Sequence, residues 1–441
     1  MRSVQATEPA TETQSAPQGL WQQTHLLGDM GGLRPSLEER GVTLSWTEIS
    51  ESLINAGGGI QSGGAVHGLG SLSLSLDTQA AWGHAGGSAF LSALNIHGRN
   101  FSAFKTGSVQ TSSNIEATNA MRLWELWYQQ TWNLGATDLR LGQQSIDQEF
   151  MSSQYTALFL APAFGWPAAP SLDLPGGGPV YPLSSLGLRL RHKLSTSLTL
   201  MVGVYDGNPA GTTQGDPQAA NANGTTFNLS SGALTFAEAQ WTRNADDANP
   251  TPANTRLPGT YKLGFWHHSQ HFDDLHLGTD GLSLANPASN GKPQQHAGNY
   301  GLYAVADQVL WRTEENSPRS LAGFARLVVA PDDRNPIRLS ANFGLTLTGP
   351  FAGRDKDIVG IGLAYIEISS NLRRLDQDSA ARVRSSETLL EVSYQYQVAP
   401  WWQLQTSLQH IGNPGAGQKA AVPTQGIENA TVFLLRSTVT F

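Results

Sequence analysis

Arg189 and Arg191 alternate with leucines in "SLGLRLRHK", and Asp138 and Arg140 do the same in "TDLRLGQ". Side chains of a β-strand point to opposite faces with period two, so outward leucines turn all four charges to one side. The same arithmetic applies to "RLWELWYQQTW", where outward Trp124, Leu126 and Tyr128 put Glu125 and Gln129 inward. In "GTYKLGFWHHS" outward Tyr261, Leu263 and Phe265 put Lys262, Trp266 and His268 inward. In "ETLLEVSYQYQV" outward Leu390, Val392, Tyr394 and Tyr396 put Glu387, Glu391 and Gln395 inward. The last stretch, "ENATVFLLRSTVTF", carries Phe433, Leu435, Val439 and Phe441 on one face and Arg436, Thr438 and Thr440 on the other. A guanidinium supplies a fixed fork of donors and a carboxylate supplies acceptors, so such sets can replace water around the hydroxyls of a neutral solute. They can equally satisfy one another and brace a wall.

Other chemistries are poorly served. "HHSQHFDDLH" gathers His267, His268, His271, Asp273, Asp274 and His276, but adjacent strand histidines face opposite ways and the remainder reads as a surface loop, so no metal is expected. "GNPGAGQKA" lacks the Gly-Lys-Ser/Thr ending and following helix of a phosphate loop. No nucleophile elbow of the Gly-x-Ser-x-Gly type is present, and a membrane lipase would need a lipid-facing Ser–His pair that is not found. The chain has no cysteine, which excludes disulfides and thiolate ligands. With a net charge of −8 and no basic block, nucleic acid is not an expected partner. No catalytic residues and no cofactor are expected.

The elements that carry these residues read as strands throughout. Only 14% of the 441 residues are charged and 47 are Gly, which suits one apolar face and one face of small polar residues. Sixteen alternating segments are predicted: 42–54, 66–82, 87–97, 121–133, 136–144, 185–193, 196–206, 231–242, 258–269, 298–313, 320–331, 336–348, 357–368, 385–398, 401–411 and 429–441. Connectors alternate long and short, from a long 55–65 onward, with 332–335 as the exception. Aromatics cluster at strand ends (Trp82, Trp132, Trp311, Trp401, Trp402) as interfacial belts do. Long loops on one rim, short turns on the other and aromatic girdles are the marks of an outer-membrane β-barrel. No 40–50-residue repeat supports a propeller, and no run of ~18 apolar residues provides a spanning helix. A terminal strand with one oily face is safe from edge pairing if it closes the barrel against the first strand. Residues 1–41 are expected to be a flexible leader and periplasmic segment with one short helix at 35–39, and 42–441 the barrel. "MRSVQATEPATETQSAPQ" has no apolar core, so it is not an intact signal peptide. Connector 145–184, rich in Pro, Gly and aromatics and holding Trp166, is the expected constriction, with 98–120 second.

Several stretches carry a resemblance: "HLLGDMGGLRPSLEERGVTL", "LWELWYQQ", "LRLGQQSIDQEFMSS", "FGWPAAP", "LPGGGPVYPLSSLGLRLR", "LTLMVGVYDGNPAG" and the tail from "ETLLEVSYQYQV" to "TVFLLRSTVTF". In this order, over 24–441, they resemble the bacterial carbohydrate-selective porin family, the OprB type. The resemblance implies an outer-membrane barrel of sixteen strands, narrowed by inward loops, through which sugars or polyols diffuse. It also implies that Phe441 is the address read by the barrel-insertion machinery. Met30 replaces the family's usual Trp, Thr406–Ser407 replace its Pro-Asp pair, and 207–330 matches poorly. On this reading the residues facing solute are Glu125, Arg140, Arg189, Arg191, Lys262, Trp266, Glu391, Arg436 and, in the long loop, Trp166, whose ring could lie against a pyranose. The alternatives are a barrel that serves as a structural or assembly partner in the envelope, and a general ion porin.

Overall fold

The computed structural model describes residues 19–98, 100–211, 214–244, 257–313, 319–418 and 427–441. The leader reading for 1–18 lies outside the described residues. The strands are β1 Val42–Gly59, β2 Gly63–Asp77, β3 Gly87–His97, β4 Ala120–Trp132, β5 Thr137–Gln144, β6 Ser185–Lys193, β7 Leu198–Asp206 and β8 Ala233–Arg243. They continue with β9 Gly259–Gly278, β10 Pro293–Arg312, β11 Ser320–Val329, β12 Ile337–Thr348, β13 Ile358–Ile368, β14 Ser386–Ala399, β15 Trp402–Gly412 and β16 Glu428–Thr440. Each strand pairs antiparallel with its sequence neighbours, and β16 returns to β1 in a register that sets Leu434 opposite Leu53 and Thr440 opposite Thr47. Closure removes the exposed edge that the terminal strand would otherwise present.

The outer surface is apolar: Leu141, Leu188, Leu190, Leu263, Phe265, Leu302, Phe343, Leu408, Phe433 and Leu435 are all exposed on it. Trp46, Trp82, Trp132, Trp241, Trp311 and Trp402 gather near the rim of short turns. There Trp241 stacks on Tyr261 at 5.4 Å and Trp46 on Phe441 at 4.3 Å. Phe441 also donates its N–H to Trp46 O, and Arg34, on the short helix α1 (Leu33–Glu38), donates to the Phe441 carbonyl at 2.9 Å. The segment before β1 is thereby fastened to the seam between β1 and β16.

Four expectations are corrected. The 66–82 segment stops being a strand at Asp77, whose side chain caps a helical turn, α2 (Thr78–Trp82), by accepting from Gln79 N and Ala80 N. The 55–65 connector is mostly strand, because β1 and β2 pair as far as Asn55 and Gly63 and leave only 60–62 between them. The histidine-rich stretch is strand as well: β9 and β10 are 20 residues each and run past the rim as a hairpin. Among the described residues no three acidic or histidine side chains form a group that could hold a metal. The fourth is Trp124, which faces the lumen. The β3–β4 register skips it, Ser92 pairing with Glu125 and Ala93 with Leu123, and such a bulge turns two successive side chains to one side.

Candidate functional site

A sixteen-stranded cylinder leaves a wide bore, and two loops from the long-loop rim fill most of it. Residues 145–184, between β5 and β6, include the turns α3 (Pro162–Gly165) and α4 (Ala168–Asp173). Ile146, Phe150, Met151 and Phe164 of this loop have no exposed surface, and they pack on the inner face of the wall beside Phe236, Tyr303, Phe324 and Val328. The barrel therefore has a second hydrophobic core, inside the bore.

Polar wall residues hold that loop by its backbone. Glu125 accepts from Ser145 N at 3.1 Å, and Glu238 from Met151 N at 2.9 Å. Lys262 donates to Ser152 O at 2.7 Å, and Asp307 accepts from Gln154 N at 3.1 Å. Glu391, fully buried, accepts from Leu160 N at 2.7 Å and Ala161 N at 3.0 Å. Glu387 performs the same service for the other loop, residues 98–119, accepting from Val109 N at 2.8 Å and Gln110 N at 2.7 Å. An ionised carboxylate bonded to backbone N–H groups makes strong, charge-assisted hydrogen bonds, so these are firm anchors.

Arg140, Arg189 and Arg191 meet on β5 and β6, where Arg140 is paired with Arg189 and Asp138 with Arg191. Arg189 has no exposed surface; it binds Asp138 and reaches Glu149 of the long loop at 3.0 Å. Arg140 bonds Glu149 at 2.8 Å and stacks over Trp127 at 3.9 Å, while Arg191 binds Asp138 at 2.7 Å and leaves its outer part exposed. Three guanidinium groups share two carboxylates, so the cluster keeps one positive charge in excess.

Open space survives beside β16, β1 and β4, on the side of the cluster away from β6. A cavity of about 410 Å³ there is bounded by Arg436, Asn114 and Asp147 and by the aromatic residues Trp124, Trp166 and Tyr181. Arg436 bonds Glu51 and donates to Asn114 Oδ1 at 2.7 Å. Trp166 is nearly buried, with no partner for its indole N–H among the described residues. Enclosure pushes the Asp147 carboxyl up from its ordinary value.

Of the nine residues singled out in the sequence, Arg436 and Trp166 border this cavity. Glu125, Lys262 and Glu391 bind the long loop's backbone. Trp266, fully buried, packs in the inner core, and the three arginines form the cluster with Glu149. Glu51, Glu238, Asp307 and Arg326 also face inward and were missed in the sequence.

A family model described as "Carbohydrate-selective porin, OprB family" matches residues 62–441. The chain belongs to that family. Porin B of Pseudomonas aeruginosa is 24% identical over 444 residues, spanning 95% of this chain and 92% of Porin B. The high-pH structure of Pseudomonas putida OprB superposes with a TM-score of 0.84 at 22% identity, covering 96% of this chain and all of that one. Its low-pH structure gives 0.58 at 18% identity over 95% of this chain. This OprB-family barrel lies in the bacterial outer membrane and is a channel protein, which makes its short-turn rim periplasmic and its long-loop rim extracellular.

Proposed function

We propose that sugars or polyols diffuse passively through this barrel by the route that passes the cavity beside β16, β1 and β4. The observation that carries the proposal is the composition of that cavity, which sets Arg436, Asn114 and Asp147 against the rings of Trp124, Trp166 and Tyr181. Donors and acceptors replace water around hydroxyls, while ring faces accept the C–H side of a pyranose. Its volume falls within the ~300–1,000 Å³ of small-molecule sites, and contacts that are few and successive let a solute leave as well as enter. Loops 98–119 and 145–184 form the constriction on this reading.

The nine sequence-derived residues divide among three roles here. Arg436 and Trp166 meet the solute. Arg140, Arg189 and Arg191 set the field near it, and Glu125, Lys262, Trp266 and Glu391 hold the loop that shapes it. Phe441, seated on Trp46, serves as the assembly address. Liposome swelling tests the proposal: proteoliposomes should swell in a panel of mono- and disaccharides, with monosaccharides faster. Swelling no faster than in protein-free liposomes would refute it.

A further inference from the structure

One buried arginine outside the sequence-derived set has an unusual list of partners. Arg326 on β11 is 2% exposed. It donates to four backbone carbonyls of the long loop: Ala163 at 2.7 Å, Phe164 and Gly165 at 2.8 Å each, and Met151 at 3.1 Å. Asn342 Oδ1 completes its set at 3.0 Å, so no carboxylate is among these partners. Three of the four carbonyls belong to the turn α3, at its C-terminal end. The N–H groups just before that turn, Leu160 and Ala161, are the ones Glu391 accepts from.

A helical turn carries positive partial charge at its N-terminal end and negative at its C-terminal end. Here a carboxylate meets the first end and a guanidinium the second, so each charge matches the dipole it faces. The five N–H donors of Arg326 are spread over several carbonyls that no single-point cation could reach together. The turn matters because Phe159, Pro162, Gly165 and Trp166, just before, within and just after it, border the cavity.

We infer that Arg326 and Glu391 are positioning residues for solute selection, a pair of jaws that fixes α3 and thereby the place of Trp166 at the channel. This deepens the sugar-channel reading and rests on it. Neither side chain need touch the solute; each acts through the loop. Because both jaws grip one rigid turn, releasing either frees it, and releasing the second adds little.

The test is a double-mutant cycle read by block of ion current in planar bilayers, with maltose and glucose as probes. Arg326→Gln and Glu391→Gln should each raise the half-saturating sugar concentration about tenfold, the size expected from losing ~1.4 kcal/mol of positioning. The double variant should show about the same tenfold rise rather than about a hundredfold. Arg326→Lys keeps the charge but not the fork, so it should fall between wild type and Arg326→Gln, and it replaces that variant in the cycle if the latter fails to give a heat-modifiable barrel. Arg338→Gln, on β12 and bound to Glu367 away from the loop, should match wild type. Wild-type half-saturation in the Arg326 variants, or multiplicative effects in the double variant, would overturn the inference. Absence of sugar block in the wild type would instead refute the sugar-channel reading itself.

Discussion

Glu387 and Glu391 lie four residues apart on the inner face of β14, and each binds the backbone of a different inward loop. Glu387 holds Val109 and Gln110, and Glu391 holds Leu160 and Ala161. One strand thus sets the height of both loops in the bore. Period-two alternation makes this possible, since residues i and i+4 share a face.

Glu391→Gln should speed amide exchange at Leu160 and Ala161 while leaving Val109 and Gln110 at wild-type rates, and Glu387→Gln should do the reverse. A Gln side chain has one accepting oxygen where two backbone donors now bind, and a hydrogen bond to a charged group contributes about 1.5–3 kcal/mol. Residue-resolved exchange in detergent micelles measures this. Equal changes at both loops would show that the two anchors are not independent.

The arginine cluster should set ion preference. Replacing Arg189 by Ala removes its single excess positive charge, so reversal potentials in a salt gradient should move toward cations. Leaving Asp138 and Glu149 short of a buried partner costs about 3–5 kcal/mol, which should lower the temperature at which the heat-modifiable band is lost. Arg191→Ala, at the exposed edge, should shift selectivity the same way with little loss of thermal resistance.

Asp147 should make selectivity depend on pH. Its carboxyl is pushed up by enclosure, so on acidification it takes a proton at a pH where ordinary carboxylates remain ionised. The cavity then loses a negative charge, and cation preference should fall in that window. Asp147→Asn should remove the step; if the step persists unchanged in that variant, another group is responsible.

Phe441→Ala should lower the amount of assembled barrel in cells, as read by surface labelling, while purified chains still refold in detergent with the heat-modifiable shift. Equal surface levels would mean that its stacking on Trp46 is the residue's whole role.

Strands and faces were legible wherever one side of the wall meets lipid and the other meets polar atoms. β5, β6 and β14 show that contrast, and Asp138, Arg140, Arg189, Glu387 and Glu391 point as alternation predicts. In β8 the inward face is Leu234, Phe236 and Glu238, more apolar than the outward Ala237 and Ala239. The long loop packs there, so both faces are dry and alternation loses its contrast. Arg326, between inward Phe324 and Val328, was hidden for the same reason. The bulge at Trp124 and the length of β9 and β10 are set by pairing with a neighbour, which no single segment records.

Cysteine modification at Ala157 tests the central claim most directly. The chain contains no cysteine, and Ala157 is an exposed residue of the long loop that borders the cavity. In Ala157→Cys, a bulky thiol reagent should lower single-channel conductance, and a permeant sugar should slow the modification. Complete modification with unchanged conductance and no protection by sugar would place the route for solute elsewhere in the barrel.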